Sequence, residues 1–400
     1  MKTNFITAPA ARSRRLQFIQ YALLVFFFWA AMYIFVPTLS VYAQTVMSNL
    51  ALVGIAVSVN AFGQIIFRIP LALLADRFGI HKQLIMAGAL STAFGAYLMG
   101  STDSASGLII GRALTGVGAS TWILMIVFFS SMFPAKDTVR ATAILVSINT
   151  VGRFIGATST GFLNEIGGYS LAFYVSAGLA ILAFIVYMPN LSPKHTAVTM
   201  NLKDVKKVIV HPAVVIPALL GLLNEIAFFT AAQTFFPILA KSFGAGNIHL
   251  SLLLDVNLAV VIIANLVMSV VVKKTGPFPV FYTCFTFMVA GLLVAVFANT
   301  MWMVYLAQLV LGIGSGTVYS ALVGYSMEHV EANSRSTAAA IQQSITAIGM
   351  FIGPWLGGVI ADRLGIQPML GIIAGLTFIC GYFGTFLLYR KLKRSEAISM

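Results

Sequence analysis

The stretch Gly152-Arg-Phe-Ile-Gly156-Ala-Thr-Ser-Thr-Gly161-Phe-Leu-Asn-Glu165-Ile-Gly-Gly168 returns 197 positions further on as Gly349-Met-Phe-Ile-Gly353-Pro-Trp-Leu-Gly-Gly358-Val-Ile-Ala-Asp362-Arg-Leu-Gly365. A second match at a nearby offset pairs Gly116-Val117-Gly118 with Gly312-Ile313-Gly314, and the turns ahead of the long match pair Asp137 and Arg140 with Glu331 and Arg335. Small residues alone would serve close helix packing. Acids and bases that recur with them point instead to a duplicated half. Two such halves build an alternating-access machine whose substrate site lies at their interface, near the membrane midplane.

Composition sets the solvent. The chain has 400 residues, 59% hydrophobic and 9% charged, with mean hydropathy +0.95; a soluble domain is about half apolar and a quarter charged. A bilayer core takes about 20 apolar residues per helix. Reading for such runs gives twelve spans, at 16–42, 50–74, 83–101, 106–133, 141–164, 170–189, 213–240, 249–272, 278–298, 301–327, 336–360 and 367–389. The expected fold is an all-α membrane protein of two six-helix halves, 1–189 and 213–400, joined by a polar linker at 190–212. The first span is too long for a cleaved signal and should remain as a membrane helix.

The formal charge of +13 invites a nucleic-acid reading, so the positions of the 24 Lys and Arg decide. Nineteen fall in alternate gaps, among them Arg12, Arg77, Lys82, Arg140, Lys203, Lys273, Arg335 and Arg390, whereas the intervening gaps hold only Lys241 and Arg363. This is the positive-inside bias. It predicts a multi-pass inner-membrane protein with both termini cytoplasmic and no nucleic-acid partner. Cys284 and Cys380 lie in apolar spans and form no framework. No Walker loop, zinc-ligand set or nucleophile triad appears, so neither enzyme chemistry nor a bound cofactor is expected. An ion gradient is the simplest energy source: the proton by default, with sodium as the alternative.

Between the second and third spans runs Ala72-Leu-Leu-Ala-Asp76-Arg77-Phe-Gly79-Ile-His-Lys82. This resembles the loop signature of the major facilitator superfamily, with Ala72 for the usual Gly and Ile80 for a basic residue. The resemblance implies that Asp76 and Arg77 latch the halves together, an anion being able to hold the positive end of a helix. Arg112-Ala-Leu-Thr-Gly116-Val-Gly118 in the fourth span is similar to another signature of that family, whose Arg is linked to proton transfer. The fifth span resembles its antiporter motif with Ala157 in place of Pro and Thr160 in place of Gly, while the unbroken version, with Gly353 and Pro354, stands in the eleventh. The drug/proton antiporter-like group is the best match in pattern. Asp76, Arg77, Gly79, Arg140, Gly353 and Pro354 are the gating candidates.

Arg153 lies about 12 residues into its span, roughly 18 Å deep at 1.5 Å per residue, and has no interface to reach. Asn149, Arg153, Thr160 and Asn164 share one face. Glu225 is equally deep on the seventh span, where Glu225, Phe229, Gln233 and Phe236 form a matching stripe. Glu225 is the expected proton carrier, with Asp255 and Arg112 as further proton-coupling candidates. Arg153 either modulates it, holds an anionic group of the substrate, or forms a permanent ion pair with it. Asn149, Asn224, Trp29, Tyr33, Trp122, Phe228, Phe229, Gln233 and Tyr319 complete the substrate-binding candidates. Arg68 and Arg112 lie close enough to the span ends to extend toward the interfaces.

These readings converge on a monomeric secondary transporter that exports a small amphipathic organic compound in exchange for protons. Proton-coupled uptake of a small organic anion is the alternative within transport. A transporter-like sensor or lipid-moving protein is the alternative of another class.

Overall fold

The computed structural model describes residues 11–133, 138–189, 208, 210–330 and 335–399. All of the regular structure among them is helical, because in lipid each backbone N–H and C=O must find its partner within the segment. Among the described residues eleven helices are long and apolar enough to span a bilayer. One of them, Thr138–Tyr187, contains two spans: Gly167 (φ −140°, ψ 22°) and Gly168 (φ 67°, ψ −175°) leave helical geometry and reverse the chain. A side chain at Gly168 would be strained by the positive φ, so the turn is a glycine position.

The spans are therefore α1 Leu16–Val46, α2 Leu50–Phe78, α3 His81–Ser101, α4 Ala105–Ser130, α5 (138–166), α6 (169–187), α7 Pro212–Ser242, α8 Asn247–Thr275, α9 Pro277–Val296, α10 Met301–Glu328, α11 Arg335–Leu364 and α12 Ile366–Ser399. Twelve is an even number, so the two ends of the described chain, the termini side below, lie on one face. The described helices run a few residues past the predicted spans at most ends, as apolar counting stops at the first charge.

Three of these helices are interrupted along their length, α4 at Thr121, between Ser120 and Trp122. In α1 the helix stops after Tyr33 and resumes at Val36, with Phe35 at φ −122°, ψ −8° and Pro37 in the new first turn. In α7 the segment Phe229–Phe235 is wound as a π-turn, with Thr234 Oγ1 donating to the Phe229 carbonyl five residues back.

The halves meet through α2 against α11 and α5 against α8. Near the face opposite the termini one apolar cluster crosses between them, joining Phe35, Val36 and Leu39 of α1 to Phe235, Phe236 and Leu239 of α7 and Leu250 and Leu253 of α8. Toward the termini the amino-terminal half keeps a separate core around Tyr21, Phe28, Phe128, Phe129 and Tyr187. Hydrogen bonds between the halves follow the same division among the described residues. Asp362 at the end of α11 accepts from the Leu50 and Ala51 backbone N–H groups at 2.7 and 2.9 Å, Glu165 accepts from Asn247 Nδ2 at 3.1 Å, and Asp255 accepts from Thr158 Oγ1 at 2.8 Å. All lie in the half of the bundle away from the termini. The molecule is held shut at that face.

Candidate functional site

Glu225 sits on α7 four residues before the π-turn, 9% exposed, and accepts a hydrogen bond from Asn224 Nδ2 at 3.0 Å. Gly349 lets α11 approach this point closely, since a methyl group there would lie 3.2 Å from the Glu225 Cβ. Tyr319 of α10 hydrogen-bonds Thr346 and lies within electrostatic reach of both Glu225 and Arg68. Phe228 and Phe229 pack edge to face at 5.6 Å on the same stretch of α7, both half-buried.

The facing surface of the amino-terminal half is cationic. Arg153 of α5 lays its guanidinium over the Tyr33 ring at 4.2 Å, and Arg112 of α4 stands 5.5 Å over Phe35 and within electrostatic reach of Tyr33. The two rings flank the break in α1. Trp29 joins them, tilted against Tyr33 at 6.3 Å and edge to face with Trp122 at 5.3 Å. Neither guanidinium has an acidic partner among the described residues, and Arg112 Nε, Arg153 Nε and Trp29 Nε1 are buried donors without acceptors. The Arg153–Glu225 ion pair weighed from the sequence does not form. Nor does Arg112 extend to the membrane surface: it is 7% exposed and turned inward.

Arg68 departs further from expectation. Two turns from the end of α2, it reaches back into the bundle and donates through Nη2 to Gln64 Oε1 at 2.5 Å. Gln64 donates to Asn60 Oδ1 at 2.9 Å, Asn60 to Thr115 Oγ1 at 3.1 Å, and Arg112 Nη1 to the same hydroxyl at 3.4 Å. A polar ladder thus joins Arg68 to Arg112 through apolar helices. Its one trace in the sequence is that Asn60, Gln64 and Arg68 recur every four residues and so share one face of α2.

Several predicted residues lie elsewhere. Gln233 does not continue the Glu225 stripe, because the π-turn rotates it out of register; with Val36, Pro37, Pro237, Leu250 and Leu254 it lines a small recess at the closed face. Phe236 is fully buried core. Asp255 is 6% exposed and belongs to the α5–α8 contact rather than to the group around Glu225. On α5, Asn149 is buried and Asn164 donates to Thr38 Oγ1 at 2.8 Å, so the polar stripe faces α1. Of the gating candidates, Gly79 caps α2 in the left-handed region (φ 65°) and Arg77 lies 5.4 Å over Phe78. Gly353 packs on Ile226 and Thr230, and Pro354 meets α2 where a methyl on Gly54 would clash with its carbonyl. The Asp76 and Arg140 side chains lie outside the described residues.

A deep acid on one half, arginines and aromatics on the other, and a closed face beyond them form the centre of a two-half carrier. A Major Facilitator Superfamily model matches residues 21–246 and again 218–399. The chain belongs to the major facilitator superfamily. It is accordingly a membrane transporter and not an enzyme. It is 22% identical over 358 residues to the quinolone resistance protein NorA of Staphylococcus aureus (strain COL), covering 84% of this chain and 88% of NorA. It is 30% identical over 167 residues to the inner membrane transport protein YajR of Escherichia coli K12, and 30% identical over 155 residues to an uncharacterized transporter of Buchnera aphidicola subsp. Schizaphis graminum. Those two alignments span 36% and 39% of the relatives' own length. Among solved structures, a point mutant of the nucleoside transporter NupG superposes with TM-score 0.80 at 14% identity, covering 94% of this chain and 100% of that one. A bacterial homologue of the human lysosomal transporter Spinster, inward-facing and unoccupied, gives 0.80 at 13% identity, covering 96% and 98%. At such identities the likeness is one of fold.

Proposed function

We propose that this transporter sits in the inner membrane with both termini in the cytoplasm and exports a small amphipathic organic compound in exchange for protons, Glu225 carrying the proton. Glu225 carries the reading: it is a buried carboxyl at the centre of the bundle that has a hydrogen bond but, among the described residues, no cation to neutralise it. Charges this deep are costly and tend to be functional. In the outward-facing form the carboxyl would take up a proton. In the inward-facing form it would release it, and substrate would move the other way between these steps. Similarity to a quinolone resistance protein over most of both chains supports the export direction. The closed face opposite the termini then corresponds to the inward-facing state of the cycle.

Everted vesicles energised to an acid lumen provide the test, with a quinolone and a set of aromatic acids, amides and amines added to the bath. Exchange predicts substrate-dependent alkalinisation of the lumen by wild type and none by Glu225→Gln. An unchanged response in Glu225→Gln would remove the acid from the coupling step. Acidification of the lumen on adding substrate would mark proton-linked uptake instead.

A further inference from the structure

We propose that the cargo is a small organic acid, its anionic group held by Arg112, Arg153 and the Trp29 indole N–H, and its flat apolar body lying against Tyr33, Trp29 and Trp122. This rests on reading the deep group of Glu225, the arginines and the aromatic rings as the transport site. Three observations carry it. The first is charge balance: Arg68, Arg112 and Arg153 point into the bundle, and the acid facing them, Glu225, pairs with none of them. An ion removed from water costs several kcal/mol unless something compensates. A guanidinium over an aromatic face gains only about 0.5 to 2 kcal/mol, which leaves room for an anion.

The second observation is donor chemistry. Arg112 Nε, Arg153 Nε and Trp29 Nε1 are buried N–H groups without acceptors, and none of the three can accept a hydrogen bond. A ligand group rich in acceptors satisfies them; an ammonium or an amide N–H does not. A guanidinium fork matches a carboxylate or phosphate with two parallel bonds. The third is the position of the rings: the break at Tyr33 to Val36 sets Tyr33 and Phe35 against the two cations, and Trp29 and Trp122 meet edge to face beside them. The aromatic wall selects an apolar body, and the donors select the charge at one end of it.

Binding can be read in the full chain in phosphatidylcholine nanodiscs, with Trp302 and Trp355 changed to Phe so that the remaining emission comes from Trp29 and Trp122. Benzoate, phenylacetate, cyclohexylacetate and phenyl phosphate are titrated, each beside its neutral amide or alcohol and its amine. The acids should bind at least tenfold more tightly than their uncharged counterparts. Arg153→Gln should erase that preference, and Arg153→Lys should keep part of it. Phenylglyoxal labelling of Arg112 and Arg153, read by mass spectrometry on otherwise unaltered protein, should slow when an acid is present, which needs no variant to fold.

No preference for the acid in any set, including no binding at all, overturns the proposal. So does an acid preference that survives Arg153→Gln and Arg112→Gln. If phosphatidylglycerol in the nanodisc displaces the acids, the arginines hold a lipid headgroup and the soluble-acid assignment falls. Binding is measured without a proton gradient, so acid binding by a protein that moves no protons would overturn the coupling scheme and leave this site standing.

Discussion

Thr115 Oγ1 accepts from both Asn60 and Arg112 while donating to the Arg112 carbonyl at 2.7 Å, so one hydroxyl satisfies two side chains within the apolar interior. Thr115→Val keeps the shape and removes the oxygen. Two buried donors are then left unpaired, at about 1 to 3 kcal/mol for such a loss, and the ladder from Arg68 is cut. The variant should melt at lower temperature than wild type and transport more slowly; a melting curve that coincides with wild type would mean that the ladder contributes nothing to the half that contains it. Depth alone made Arg153 and Glu225 legible in the sequence, because a charge some 18 Å into a helix has no water to reach. It could not orient Arg68. Two turns from an interface, a guanidinium on a flexible stem reaches either way with similar ease, and Gln64 settles the direction only once the rotamers are known.

At the scale of helices, the two copies of the opening repeat do the same work. A methyl group on Gly161 would lie 2.6 Å from the Ile248 Cα at the start of α8, Gly358 packs on Leu50 at the start of α2, and one turn further on Glu165 and Asp362 bond the same helix starts. Asp362 thus accepts from backbone N–H groups in the first turn of α2, where the helix dipole favours an anion, whereas Glu165 accepts from the side-chain amide of Asn247 at the start of α8. Asp362 also stands in Ala361-Asp362-Arg363-Leu364-Gly365, which repeats the pattern of Ala75-Asp76-Arg77-Phe78-Gly79. The same short motif thus ends both α2 and α11, at opposite faces. An acid at a helix start is worth up to about 1 kcal/mol, which is a roughly fivefold shift between two states. Asp362→Asn should move the population toward opening of that face by about this factor, and adding Glu165→Gln should move it further. Spin labels at Ser48 and Thr300, on turns at that face, would report the longer distance; an unaltered distribution would show that glycine packing alone keeps it shut. The repeat exposed these four positions before any coordinates, but not their partners, which a period of 197 residues cannot name. The π-turn of α7 was equally hidden, since Phe-Thr-Ala-Ala-Gln-Thr-Phe winds as an α-helix on any local rule and only the packing around it selects the wider turn.

For the whole molecule, apolar run length, charge alternation and internal repetition reached the twelve-helix, two-half architecture without coordinates, because the bilayer imposes all three. The kind of motion follows from where the halves touch. Their mutual contacts among the described residues gather at the face opposite the termini, while the central arginines, aromatics and Glu225 lie behind it. If the halves move as bodies, tying that face shut must stop transport without emptying the site. Cysteines at Glu165 and Asn247, whose native side chains lie 3.1 Å apart, place a reducible short linker across the closed face, in a background with Cys284→Ala and Cys380→Ser. Cross-linked protein should carry no substrate across vesicles and recover on reduction, while acids still quench Trp29 and Trp122 by entering from the termini side. Transport at the ordinary rate with the linker intact would mean that substrate passes without this face opening, and rocking of two rigid halves would then be the wrong description of the cycle.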